Sequence, residues 1–94
     1  MNPGSMDDKL KLELKNIIIE ACEKELAPEQ IGDTDSLVGF GSKLELDSLD
    51  VLQINVALAN RYKVRIEDSK HARRVMKNIN ALADFVRPAD KNDQ

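Results

Sequence analysis

Ninety-four residues with 41% apolar and 33% charged content describe one soluble globular domain with a single modest core, too short for two domains and cramped for an enzyme with its own deep pocket. The formal net charge of -3 gives no general reason to expect nucleic acid or an anionic membrane as a partner, and no apolar run approaches the roughly 20 residues that span a bilayer. One cysteine, Cys22, and one histidine, His71, exclude an internal disulfide and a four-ligand structural zinc site, so no metal is expected.

Residues 1–5, Met1-Asn2-Pro3-Gly4-Ser5, precede a second methionine at Met6 and read as a cloning remnant, which puts the expected domain at residues 6–87 and a flexible C-terminal tail at 88–94. The N-terminus lacks the basic and apolar regions of a secretory signal, and a cytoplasmic location is expected. From Asp7 to about Leu26 the apolar residues Leu10, Leu14, Ile17, Ile18, Cys22 and Leu26 recur three or four apart, which predicts an amphipathic helix. Asp7 and Asp8 suit its positive end, Glu20 and Lys24 form a favourable i,i+4 pair, and Pro28 stands just beyond its stop. Cys22 reads as a small buried apolar residue of this helix.

Between Ala27 and Leu46 the periodicity dissolves into Gly32, Asp33, Thr34, Asp35, Ser36, Gly39, Gly41 and Ser42, with Ile31, Leu37, Val38 and Phe40 among them. A structureless loop of this length is unusual in a compact domain, so its apolar side chains are expected to dock on the core, with room for a short helical turn. A second helix is predicted from Ser48 to about Arg61. Leu49, Leu52, Val56 and Ala59 make one apolar stripe on it, and Val51, Ile54, Leu58 and Tyr62 make another. Either both stripes are buried, or one is left for a partner or a cargo to cover. Val64 to Ile66 reads as extended or irregular, and a short helix is predicted near Lys70 to Met76. Ile79, Leu82, Ala83, Phe85 and Val86 mark a last helix, with Asn78 or Asn80 as its cap and Pro88 discouraging continuation. The class is all-α: three longer helices and one short one, with a long loop between the first two.

The chemically informative stretch is Leu44-Glu45-Leu46-Asp47-Ser48-Leu49-Asp50, where a glycine-rich loop meets an apolar helix. Asp47 or Ser48 is an N-cap, with Asp50 near N3 adding negative charge at the positive helix end. A serine in that position has an exposed hydroxyl beside free backbone N–H groups, a setting that tolerates a covalently attached phosphate. It is poorly placed for autonomous nucleophilic catalysis, which needs a base in hydrogen-bond reach. His71, far downstream in a basic cluster, has no motif tying it to Ser48.

Asp47-Ser48-Leu49 resembles the Asp-Ser-Leu signature of acyl carrier proteins, and the order of helix, long loop, signature opening the second helix, short helix and final helix extends the resemblance over nearly all of Met6 to Val86. The resemblance implies a four-helix acyl-carrier-like bundle that is not an enzyme. Ser48 would carry a 4'-phosphopantetheine arm taken from coenzyme A, and acyl groups would ride on its terminal thiol as thioesters in fatty-acid-like, lipid or polyketide-type biosynthesis. By the family pattern Asp47 helps present Ser48 to the phosphopantetheinyl transferase and Leu49 packs near the base of the arm. Val51, Leu52, Ile54, Leu58 and Val75 would contact the acyl chain or a partner. The implied partners are that transferase and acyl-loading, condensing or transferring enzymes, with the carrier a monomer, no nucleic acid bound and no stable membrane insertion.

Two features depart from the family. Glu45 stands three residues before the serine, where carriers of fatty-acid synthesis usually have glycine, and the acidic residues usual along the second helix are mostly missing: Asp47 and Asp50 are balanced by Arg61 and Lys63. From Arg65 to Lys77, five cations (Arg65, Lys70, Arg73, Arg74, Lys77) outweigh Glu67 and Asp68. The cluster Lys70, Arg73, Arg74 and Lys77 is either a solvated surface or a basic patch that recognises a changed set of partners. Together with the Leu37-Val38-Gly39-Phe40-Gly41 approach, these departures resemble a specialised carrier rather than a housekeeping one. The alternatives are an aminoacyl, D-alanyl or peptidyl carrier, which shares arm and fold, and more distantly a helical adaptor or nucleic-acid-binding module using the basic 65–77 segment. Against the latter, Phe40, Tyr62 and Phe85 are the only aromatics and the chain is net acidic.

Overall fold

The computed structural model describes residues 6–37 and 46–92, and within them the chain forms four α-helices and one 3-10 turn. They are α1 (Asp8–Ala21), the turn Pro28–Gln30, α2 (Ser48–Tyr62), α3 (Ser69–Val75) and α4 (Ile79–Asn92). Residues 1–5 and the approach segment 38–45, including Val38, Phe40 and Glu45, lie outside the described residues.

Helix α1 starts where Asp7, in extended backbone, accepts the N–H groups of Lys9 and Leu10 on its carboxylate, both at 3.1 Å. The same carboxylate pairs with Arg87 of α4, and these contacts hold it below the usual carboxylate range. The helix ends five residues earlier than its periodicity predicts. Glu23 takes a left-handed φ of 53°, the Lys24 N–H donates to the Ile19 carbonyl and the Glu23 N–H to the Glu20 carbonyl, the hydrogen-bond pattern of a Schellman stop. Lys24 therefore lies outside the helix, and the expected Glu20–Lys24 helical pair has no helical geometry to form in.

The core gathers Leu10, Leu14 and Ile18 from α1, Ile54, Leu58 and Tyr62 from α2, Val75 and Met76 at the end of α3, and Ile79, Leu82, Ala83 and Val86 from α4. Helix α1 packs on both α2 and α4, and α3 packs on α4. The radius of gyration, 12.1 Å, matches the roughly 12 Å expected of a globular chain this long. The long connection contributes Ile31, Leu37 and Leu46 to the same interior, which lets so extended a segment remain part of a compact fold.

A charged junction holds the connection against α1 and α4. Asp33 receives Lys11 Nζ at 2.8 Å on one oxygen and Lys15 Nζ at 2.9 Å on the other, while its backbone carbonyl accepts the Asn80 N–H at 3.1 Å. Lys11 is only 7% exposed, a burial that sequence periodicity does not foresee. Its hydrogen bond to Asp33 raises the ammonium pKa and lowers that of Asp33 against opposing desolvation.

Helix α4 is opened by Asn78, whose Oδ1 accepts the Ala81 N–H at 2.8 Å. Its backbone continues through Pro88 to Asn92, past the expected stop. Pro88 withholds one N–H donor from the hydrogen-bond ladder of that helix.

Candidate functional site

Helix α2 begins with a reciprocal cap. Asp47 accepts the Asp50 N–H at 3.0 Å, and Asp50 in turn accepts the Asp47 N–H at 3.2 Å. Asp47 is thus the N-cap and Ser48 the first helical residue. The Ser48 side chain is exposed, takes no part in capping and has no hydrogen-bond partner among the described residues. Its hydroxyl stands at the positive end of the helix with its donor and acceptor capacity uncommitted.

Ser48 borders a groove of about 430 Å³ between α2 and α3. Leu46, Val51, Leu52, Ile66 and Ala72 supply its apolar walls, and Asp47, Asn55, Asp68 and Arg73 its polar ones. The far wall is fixed by local chemistry. Asn55 of α2 hydrogen-bonds both backbone groups of Ile66, and Asp68 caps α3 by accepting the His71 N–H at 2.8 Å. His71 accepts the Glu67 N–H on Nδ1 and sets its ring edge-on to Phe85, centroids 5.1 Å apart. Those contacts give the histidine a structural place in α3.

Of the residues singled out in the sequence, Ser48, Asp47, Val51, Leu52 and Arg73 line the groove together. Ile54, Leu58 and Val75 do not: Ile54 and Leu58 are fully buried and Val75 nearly so, each facing the common core. Helical geometry explains the division, because the stripe that faces α1 and α4 cannot also face α3. The two apolar stripes of α2 are not both buried. Leu49, Leu52 and Val56 remain 64%, 56% and 53% exposed. Lys70, Arg73, Arg74 and Lys77 are all exposed. Asn55, Asp68, Leu46 and Ile66 belong to the groove without having been marked in the sequence. Asn55 had one available signal, a polar residue between the two apolar stripes of a helix.

Cys22, just past α1, is half-buried against α2, its Sγ 3.8 Å from the Asp50 carbonyl. Burial, reinforced by the negative charge of Asp50, pushes the thiol up to about 11. Among the described residues no group of histidine, cysteine and carboxylate side chains is arranged to hold a metal ion. No described helix is long and apolar enough to cross a membrane.

Fold and site together define a small four-helix bundle that presents an unengaged serine at a helix start, beside an open groove. Compared with protein-family models, with curated proteins and with solved structures, the chain matches none.

Proposed function

We propose that this chain is an acyl carrier protein, with a 4'-phosphopantetheine arm on Ser48 that carries acyl groups as thioesters between enzymes. The observation that carries the reading is the division of labour at the α2 start: Asp47 and Asp50 satisfy the cap, leaving the adjacent Ser48 hydroxyl exposed and free for substitution. The residues fit the group. A phosphodiester on Oγ would sit at the positive end of α2, and the groove along Val51, Leu52, Ile66 and Ala72 offers apolar wall to a chain leaving Ser48. Attachment replaces the Oγ–H bond with an Oγ–P bond as the coenzyme A pyrophosphate linkage breaks, its adenosine bisphosphate leaves and the proton passes to the transferase. The arm supplies a thiol for thioester chemistry; the chain supplies its anchor, its exit direction and partner contacts. The acid-poor α2 and basic α3 favour a specialised carrier over one serving general fatty-acid synthesis.

The test is intact mass after incubation with coenzyme A and a broad-specificity phosphopantetheinyl transferase. One phosphopantetheine increment on the wild type and none on Ser48→Ala is expected. An unchanged wild-type mass, or the same increment on the alanine variant, refutes the reading.

A further inference from the structure

The direction in which α3 returns past Ser48 follows from two tethers. At one end, Asn55, two turns or about 10 Å along α2 from Ser48, holds both backbone groups of Ile66, three residues before α3 begins. At the other, the Leu37 N–H donates to the Lys77 carbonyl at 3.3 Å, and the Leu37 carbonyl accepts the Leu46 N–H at 3.2 Å. The end of α3 is thereby bound, through Leu37, to the segment that leads into Ser48. Helix α3 runs back along α2 with its C-terminal half toward Ser48 and its cap, Asp68, toward Asn55. Arg73, in the last turn of α3, is the one cation among the described residues that border the groove with Ser48.

An anionic substituent on Ser48 needs such a cation. The carboxylates of Asp47 and Asp50 already stand at the first turn of α2, and a phosphodiester on the serine adds a third negative charge to a helix end worth roughly half a positive one. Arg73 is exposed and forms no ion pair with a described residue, although Asp47 and Asp68 border the same groove. Asp47 is drawn instead to the Asp50 N–H, and Asp68, at the far end, to the His71 N–H. Lys11, Lys15, Arg61 and Arg87 are all engaged within the fold. Arg74, the next residue along, is exposed but does not border the groove.

We infer that Arg73 is the phosphate-holding residue of the Ser48 site: from the facing wall its guanidinium pairs with the phosphodiester on Ser48 Oγ and turns the arm into the groove. The inference deepens the carrier reading and rests on it for the identity of the substituent. A guanidinium suits the task because its planar fork pairs with two phosphate oxygens at once, where an ammonium acts as a point charge. The two unesterified oxygens of the phosphodiester meet that fork, and no proton changes hands. With its phosphate held on the α3 side, the arm starts between Arg73 and the α2 wall of Val51 and Leu52, and its remaining length lies over apolar side chains rather than swinging into solvent.

Phosphoserine introduced at position 48 of the full chain by amber suppression tests the contact without a transferase, so its failure is distinct from that of the carrier reading. Its second ionisation, at about pH 6 in a free peptide, is followed by phosphorus NMR. The charged groups facing it are Asp47 and Asp50 from α2 and Asp68 and Arg73 from the α3 side, and of these side chains only Arg73 favours the dianion. Arg73→Gln is expected to raise the apparent pKa by about half a unit or more, Arg73→Lys to restore part of the shift, and Arg74→Gln to move it by less than about 0.2 unit. The difference should shrink as salt rises. All three substitutions lie on the surface, and circular dichroism checks that each variant is folded. On the holo-protein, nuclear Overhauser contacts from the geminal methyls of the arm to Val51 and Leu52 are expected in the wild type and lost in Arg73→Gln. An unchanged pKa in Arg73→Gln, an equal rise in Arg74→Gln, or arm contacts that survive the loss of Arg73 overturns the inference. If the titration behaves as expected and no arm can be attached, the carrier reading fails while the anion-holding role of Arg73 stands.

Discussion

The side-chain amide of Asn55 serves the backbone of Ile66 in both directions: Oδ1 accepts the Ile66 N–H at 2.9 Å and Nδ2 donates to the Ile66 carbonyl at 3.1 Å. One side chain on α2 thereby replaces a strand neighbour for an irregular segment and holds the far wall of the groove. Asn55→Ala leaves two partly buried backbone groups unmet and should cost about 1–3 kcal/mol in denaturant unfolding, with faster hydrogen exchange at the Ile66 amide. Asn55→Asp sets a carboxylate against the Ile66 carbonyl and should be at least as damaging. An alanine variant as stable as wild type would show that the clamp is dispensable.

Two helices end on left-handed residues that are not glycine, Glu23 at φ 53° after α1 and Lys63 at φ 62° after α2. Side chains with a Cβ are strained there, and glycine is not. Glu23→Gly and Lys63→Gly should each raise stability by up to about 1 kcal/mol, the relief of strain exceeding the added freedom of the unfolded chain. A fall in the melting temperature for either would mean that its side chain does more than occupy a helix stop.

The carboxyls of Asp33 and Asp7 are both held below the ordinary carboxylate range, Asp33 chiefly through Lys11 and Asp7 chiefly through Arg87. A depressed folded-state value means the unfolded chain binds protons first, so their contribution is complete above the unfolded value and is lost as pH falls through the folded ones. Stability should therefore be level from neutral pH down to the ordinary carboxylate range and drop below it. Asp33→Asn should lower the plateau and flatten that drop. An acid limb as steep in the variant as in wild type would assign it to other carboxylates.

Raised to about 11, the Cys22 thiol is almost wholly protonated at pH 8 and, since a more basic thiolate is also the better nucleophile, should react with iodoacetamide roughly tenfold more slowly than an ordinary exposed thiol. Unfolding in urea should abolish the difference. If the arm is attached, fast alkylation belongs to it alone, and mass after a brief pulse separates the two thiols. Rapid labelling of the unmodified protein would contradict the burial of Cys22.

The sequence carried the periodic features well. Leu10, Leu14 and Ile18 were legible as one face because burial on a helix needs only local spacing, and Asp47-Ser48 was legible as a helix start because caps use a small set of residues. What stayed hidden depends on partners distant in the chain. Lys11 is buried because Asp33, twenty-two residues on, reaches it, and no local pattern marks that pairing. Glu23 ends α1 early because the stop is made by backbone bonds that any residue willing to adopt positive φ can form. Which stripe of α2 would be buried was open in the sequence, since both are apolar; it was decided by where α1 and α4 lie. Ile54, Leu58 and Val75, expected to border a cargo, lie in the common core and not on the groove wall.

The reciprocal bonds between Asp47 and Asp50 have a thermodynamic corollary. Because the helix start is secured by its two aspartates, a substituent on Ser48 Oγ breaks no contact that the folded state depends on. The substituted and bare chains should unfold at nearly the same denaturant concentration, so that on the carrier reading proposed above each round of loading and emptying would leave untouched the few kilocalories that keep so small a domain folded.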